Sequence, residues 1–164
     1  MKIKGTLILL MLVFSSQAFA DRFRVLGVQE ALLSSKAAED FRASMEREFA
    51  AEERALIELE RQAVAVRDRI QQNQGLIPDQ EMEQLHLQFQ KAFTEYQTRG
   101  EAMAEKQIER EQEFLASMRP KLDQAIRSLI ENEKIDVVFA KQATVYASST
   151  IDITPRVIEL LNRQ

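Results

Sequence analysis

Glu83 and His86 stand three residues apart in "EMEQLHLQ", the Glu-x-x-His spacing that sets a carboxylate and an imidazole on one helix face in di-iron bundles. Such a site needs a second motif of the same kind and further carboxylates from other helices, and His86 is the only histidine in the chain. The pair therefore reads as a solvated one, with no metal. Ser148-Ser149 has no histidine base to activate it and fits a turn or cap better than a nucleophile. There is no cysteine, so disulfides and thiolate metal sites are impossible, and no glycine-rich phosphate loop is present. Residue chemistry thus names no catalytic group and no cofactor, and an enzyme ranks last among the possible functions.

The elements that would position any site carry more information. A chain of 164 residues with 45% hydrophobic, 7% aromatic and 29% charged residues and no Trp suits helices with large solvated faces better than a thick interior. Residues 1–20, "MKIKGTLILLMLVFSSQAFA", read as a secretory signal peptide. Lys2 and Lys4 charge its start, Thr6 to Phe14 is an apolar core too short to span a bilayer, and cleavage is expected between Ala20 and Asp21. The signal holds two of the 22 Lys and Arg and none of the 26 Asp and Glu, which leaves 20 against 26, a net charge of −6. That balance argues against nucleic acid as a partner. An exported chain without disulfides needs another source of stability, and oligomerisation supplies one.

After Ser34-Ser35, a cap signal, no Gly or Pro occurs until Gly75. Met45, Phe49, Leu56, Leu59, Ala63, Val66 and Ile70 follow the alternating three and four spacing of a coiled-coil seam, with Glu52 as its polar interruption. A second run starts with Asp79 as expected N-cap and carries Met82, Leu85, Phe89, Phe93 and Tyr96, then Met103, Ile108, Phe114, Met118, Leu122, Ile126, Leu129 and Ile130. The "QGLIPD" between them reads as the tip of an antiparallel helical hairpin, with apolar Leu76 and Ile77 exposed on it. Pro120 predicts a kink or a break in the second helix, and Gly100 a soft point.

Strand character appears only in "RFRVLGV" (22–28) and in "DVVFAKQATVYA" (136–147), the latter as two pieces around a turn at Lys141-Gln142. Phe23, Val25, Val137, Val138, Phe139, Val145 and Tyr146 carry it. "DITPRVIELLNRQ" predicts a closing helix with Thr154 as N-cap and Pro155 at the first helical position. The expected fold is α+β: a small β body from 21–35 and 120–164, and a helical hairpin arm over 36–119 with its tip near 73–79. So little sheet makes a poor core alone, and several copies sharing it would cover its edges.

The signal peptide, "RFRVLGV" leading to "SSKAAEDF", the charged hairpin, and "RPKLDQAIRSLIENEKIDVVFAKQATVYASSTIDIT" before an amphipathic end together resemble the Skp/OmpH family of periplasmic chaperones. The likeness spans essentially the whole mature chain. It is most specific at Ala125-Ile126, Ile135 to Val138, Val145-Tyr146 and Asp152 to Thr154. It implies a homotrimer whose strands build one β body and whose hairpins enclose a cavity. It also implies an ATP-independent periplasmic holdase that keeps unfolded outer-membrane β-barrel proteins from aggregating. On that reading Leu76, Ile77, Met82, Leu85, Phe89, Phe93, Tyr96, Lys91 and Arg99 are the candidate client contacts. Helical spacing fits packing within the hairpin first, and client contact for whichever side chains the partner helix leaves uncovered.

Some family members are strongly basic, whereas here residues 36–73 hold seven Lys or Arg against nine Asp or Glu, and residues 79–133 seven against twelve. Electrostatic capture then falls to local patches such as Arg67 with Arg69, or Lys91, Arg99, Lys106 and Arg110. A lipopolysaccharide or membrane-surface role proposed for the family finds no basic cluster to rest on. The alternative of another class is a structural coiled-coil envelope adaptor that binds a folded partner through the arm tips.

Overall fold

The computed structural model describes residues 22–164, so the signal segment and the expected Ala20/Asp21 cleavage point lie outside it. Strand β1 (Phe23–Leu26) leads into short helix α1 (Val28–Leu33), then α2 (Lys36–Asn73), α3 (Asp79–Glu133), strand β2 (Val137–Ala140), a single 3₁₀ turn (Lys141–Ala143) and α4 (Thr154–Leu161).

Helix α2 begins where its sequence offers a cap: the Ser35 hydroxyl accepts the Ala38 N–H at 3.2 Å, and its own proton goes to the Leu32 carbonyl at 2.7 Å. It ends at the "QGLIPD" turn, where Gly75 takes φ +73°, a conformation with a steric cost for any side chain. At 1.5 Å per residue α2 is about 57 Å long and α3 about 82 Å. The two pack antiparallel, burying Phe49, Leu56, Leu59 and Ala63 of α2 and Leu85 of α3. Glu52, the polar break in the seam, meets Arg99 from the opposite helix.

The longer helix runs past the shorter one into the body. There Met118, Leu122, Ala125 and Leu129 of α3 join Leu26, Ala31, Ile135, Ile153, Val157 and Leu161 in one buried cluster. β1 pairs parallel with β2 in the register Phe23↔Val137 to Leu26↔Ala140, so the whole arm is the crossover between two parallel neighbours. The other edge of β1 is taken by residues 151–153: Val25 N–H donates to Ile151 O and Ile153 N–H to Val25 O, both at 2.9 Å. Lys141 Nζ braces the same junction, 2.7 Å from Glu30 and 2.9 Å from Asp152.

Four local expectations need correction. Thr154 is the first residue of α4, not its cap; its hydroxyl is buried and accepts the Gly27 N–H at 2.9 Å, while Asp152 Oδ1 accepts the Thr154 N–H at 2.8 Å. Asp79 likewise stands inside α3, with Pro78 at the cap position. Of the kink or break expected at Pro120, the break does not occur, and α3 runs on through it. Pro120 and Ala116, whose carbonyl loses its helical donor, are both exposed, so water can serve that oxygen, while Met118 and Leu122 on the opposite side are held in the core. Lastly, Val145 and Tyr146 form no strand within the chain; both project fully, with relative exposures of 106% and 83%. A strand exists only with a partner, and β2 and residues 151–153 already flank β1.

Candidate interaction surfaces on the arm and the body

The sheet presents two unlike faces. Leu26 and Val138 point into the core cluster, whereas Phe23, Val137 and Phe139, in the alternate register, remain exposed. The Phe23 and Phe139 rings lie 6.1 Å apart. Val25 shares their parity yet is buried. One face of the sheet is thus apolar and open.

On the arm, the nine expected contacts divide by environment. Leu85 is buried in the hairpin, and Met82, Phe89, Tyr96 and Ile77 are half-buried. Phe93 remains 42% exposed with its ring stacked on Phe89, 5.7 Å between centroids. Leu76 at the tip is 78% exposed. Lys91 faces solvent. Arg99 is already engaged: Nε and Nη2 lie 2.7 Å and 2.8 Å from the two Glu52 oxygens. The guanidinium is held even more firmly protonated by that hydrogen-bonded carboxylate. Of the basic residues expected to capture a client, Lys106 and Arg110 are also committed, both to Glu48, at 3.0 Å and 3.1 Å.

Exposed apolar residues outside those nine are equally prominent. Ile57 and Val64, seven apart, follow the seam residues Leu56 and Ala63 and stay in water; Leu87, Ile108 and Leu115 do so on α3. Ile108, expected within the apolar stripe, is 55% exposed. The signal for Ile57 and Val64 was present: an apolar residue directly after a seam position points away from the partner helix. Glu83 and His86 are both exposed, and among the described residues no group of three His, Asp or Glu side chains is arranged to hold a metal. None of the described helices is long and apolar enough to cross a membrane.

Known proteins share this architecture. The family described as outer membrane protein (OmpH-like) matches residues 22–161. A Skp-like protein of Pseudomonas aeruginosa is 31% identical over 147 residues, spanning 89% of this chain and 88% of its own length. The crystal structure of an OmpH-like protein from Caulobacter crescentus superposes with a TM-score of 0.66 at 18% identity, over 86% of this chain and 83% of that one. A small sheet with a long helical hairpin, a family match over nearly all described residues and a relative matched over 88% of its length lead to one assignment: the chain belongs to the Skp/OmpH-like family.

Proposed function

We propose that this chain is an ATP-independent holdase of the periplasm, which keeps unfolded outer-membrane β-barrel proteins soluble between the arms of a homotrimer. The observation that carries the reading is the row of water-exposed apolar side chains along a projecting arm: Ile57, Val64, Leu76, Leu87, Phe93, Ile108 and Leu115. Apolar groups spaced along a charged helix offer many weak contacts and no deep pocket, which suits a client with alternating apolar strands and no fixed shape. The body supports the oligomer. Among the described residues, a two-stranded sheet with an exposed apolar face and a free outer edge on β2 is short of partners, and strands from other copies, including the Val145-Tyr146 segment, would supply them.

Light scattering from a urea-unfolded outer-membrane barrel diluted into the folded chain tests this. Suppressed scattering, with complexes sized at three chaperone chains, is the expected result. A folded oligomer that fails to suppress aggregation at any ratio would refute the holdase. Leu76, so exposed at the tip, favours a second reading, the coiled-coil adaptor for a folded partner. Leu76→Ala or Ile77→Asp would then abolish binding, whereas a holdase with many contacts tolerates either.

A further inference from the structure

The arm is not held together in the same way along its length. Near the tip the hairpin closes on buried Leu56, Leu59, Ala63 and Leu85. At the root Phe41 stacks on Phe114, 4.4 Å between centroids and 11° between planes, and Met118 enters the body core. Between Leu85 and Met118, α3 has no buried side chain at all. The ion pairs joining α2 to α3 among the described residues all fall in that interval: Glu52 with Arg99, and Glu48 with Lys106 and Arg110.

The sequence weakens the helix packing at the same level. The half-buried positions of α3 there are Arg99, Gly100, Met103, Gln107 and Arg110, of which Met103 alone carries a large apolar side chain. Gly100 adds the poorest helix former after proline, with open space where its side chain would be. Phe49 is the one buried apolar side chain of α2 at this level, and Lys106 Nζ lies 5.7 Å from its ring centre.

We propose that residues 48–52 of α2 and 99–110 of α3 form an ion-clasped joint, at which the far half of the arm opens relative to the body when these charges are screened or neutralised. The proposal stands on the arm geometry alone and does not depend on any client. Glu48 faces Lys106 and Arg110, and Glu52 faces Arg99; Glu95 and Glu113, on α3 itself, share Arg99 and Arg110. Hydrogen bonds, from Lys106 above all for Glu48 and from Arg99 for Glu52, hold both carboxyls below their ordinary range. The clasp is therefore intact above the ordinary glutamate pKa of about 4.3 and is lost as pH falls through the lowered values. Salt reaches it too, because the screening length shrinks to about 3 Å at 1 M, comparable with the pair distances.

Hydrogen exchange read by mass spectrometry on the folded chain, at about 10 mM and about 1 M sodium chloride, decides the matter. Exchange over 99–110 should rise about threefold or more in high salt, and likewise at low salt in the Glu48→Gln, Glu52→Gln double variant. Segments 56–63 and 118–129 should keep their protection, and Glu58→Gln, which removes a pair within α2, should leave the joint unchanged. A rise spread evenly along the arm, or none in high salt, would overturn the joint. Should the double variant fail to fold, the salt series on the unaltered chain and Arg99→Lys, which keeps the charge but loses the two-pronged grip, give the answer.

Discussion

Arg99 grips both oxygens of Glu52 across the hairpin, at 2.7 Å and 2.8 Å, in the middle of what the α2 pattern marks as an apolar seam. A two-pronged pair of this kind fixes the register of the two helices by geometry. The pair is partly open to solvent, so its worth lies more in alignment than in stability. Either single change, Glu52→Gln or Arg99→Gln, should lower the thermal midpoint followed by circular dichroism. The double change Glu52→Leu with Arg99→Leu should restore or exceed it, because an apolar pair continues the seam.

Glu58 should titrate far below an ordinary glutamate. Hydrogen bonds from Arg61 and then from Gln62 lower its pKa from 4.5 to about 2. A depressed carboxyl stabilises the fold above its unfolded pKa of about 4.3, and that contribution disappears as pH falls toward 2. Carboxyl-carbon NMR should place the Glu58 midpoint near 2, and Arg61→Gln should move it up.

Thr154 ties the start of α4 to the end of β1 through the Gly27 N–H. With that hydroxyl removed in Thr154→Val, a buried donor is left without its acceptor, at a cost of about 1–3 kcal/mol. Urea unfolding should show the loss, and Thr154→Ser should recover most of it.

Lys134 closes α3 in the left-handed region, φ 53°, with the Ile135 N–H returning to the Ile130 carbonyl. A side chain there carries strain that glycine does not. Lys134→Gly should raise stability by about 0.5–1 kcal/mol in the same urea assay, and Lys134→Val should lower it.

The exposed arm residues give the functional test its sharpest form. Replacing Ile57, Phe93 and Ile108 together by Ser should weaken the suppression of barrel aggregation severalfold. The melting midpoint should hardly move, since none of the three is buried. An unchanged suppression would remove these side chains from the client surface.

Features set by near neighbours in the chain were legible in the sequence. Ser35 caps α2 because its hydroxyl reaches an amide three residues on, and the reversal at Gly75 and Pro78 needs only local backbone preferences. The seam of α2 was equally plain, since Phe49, Leu56, Leu59 and Ala63 hold one period throughout. Legibility failed where the partner is distant. Thr154 looks like a cap from its neighbours, and only Gly27, 127 residues away, shows its hydroxyl otherwise engaged. Val145 and Tyr146 have strand-forming side chains but no strand beside them among the described residues. Arg99, Lys106 and Arg110 looked like free positive charge because Glu52 and Glu48, which bind them across the hairpin, lie on the other helix.

The parallel pairing of β1 with β2 sets an order of events. Arg22 and Asp136, at the mouth of the sheet, are 114 residues apart, so the first strand cannot find its neighbour until nearly the whole chain is available. Closing so long a loop is slow, whereas helices and their hairpin contacts form locally. A chain delivered from its N-terminus would raise its arm first and seal its base last. Until then Phe23 and Val25 wait unpaired. The newborn protein is itself, for that interval, an unfolded chain with an open strand.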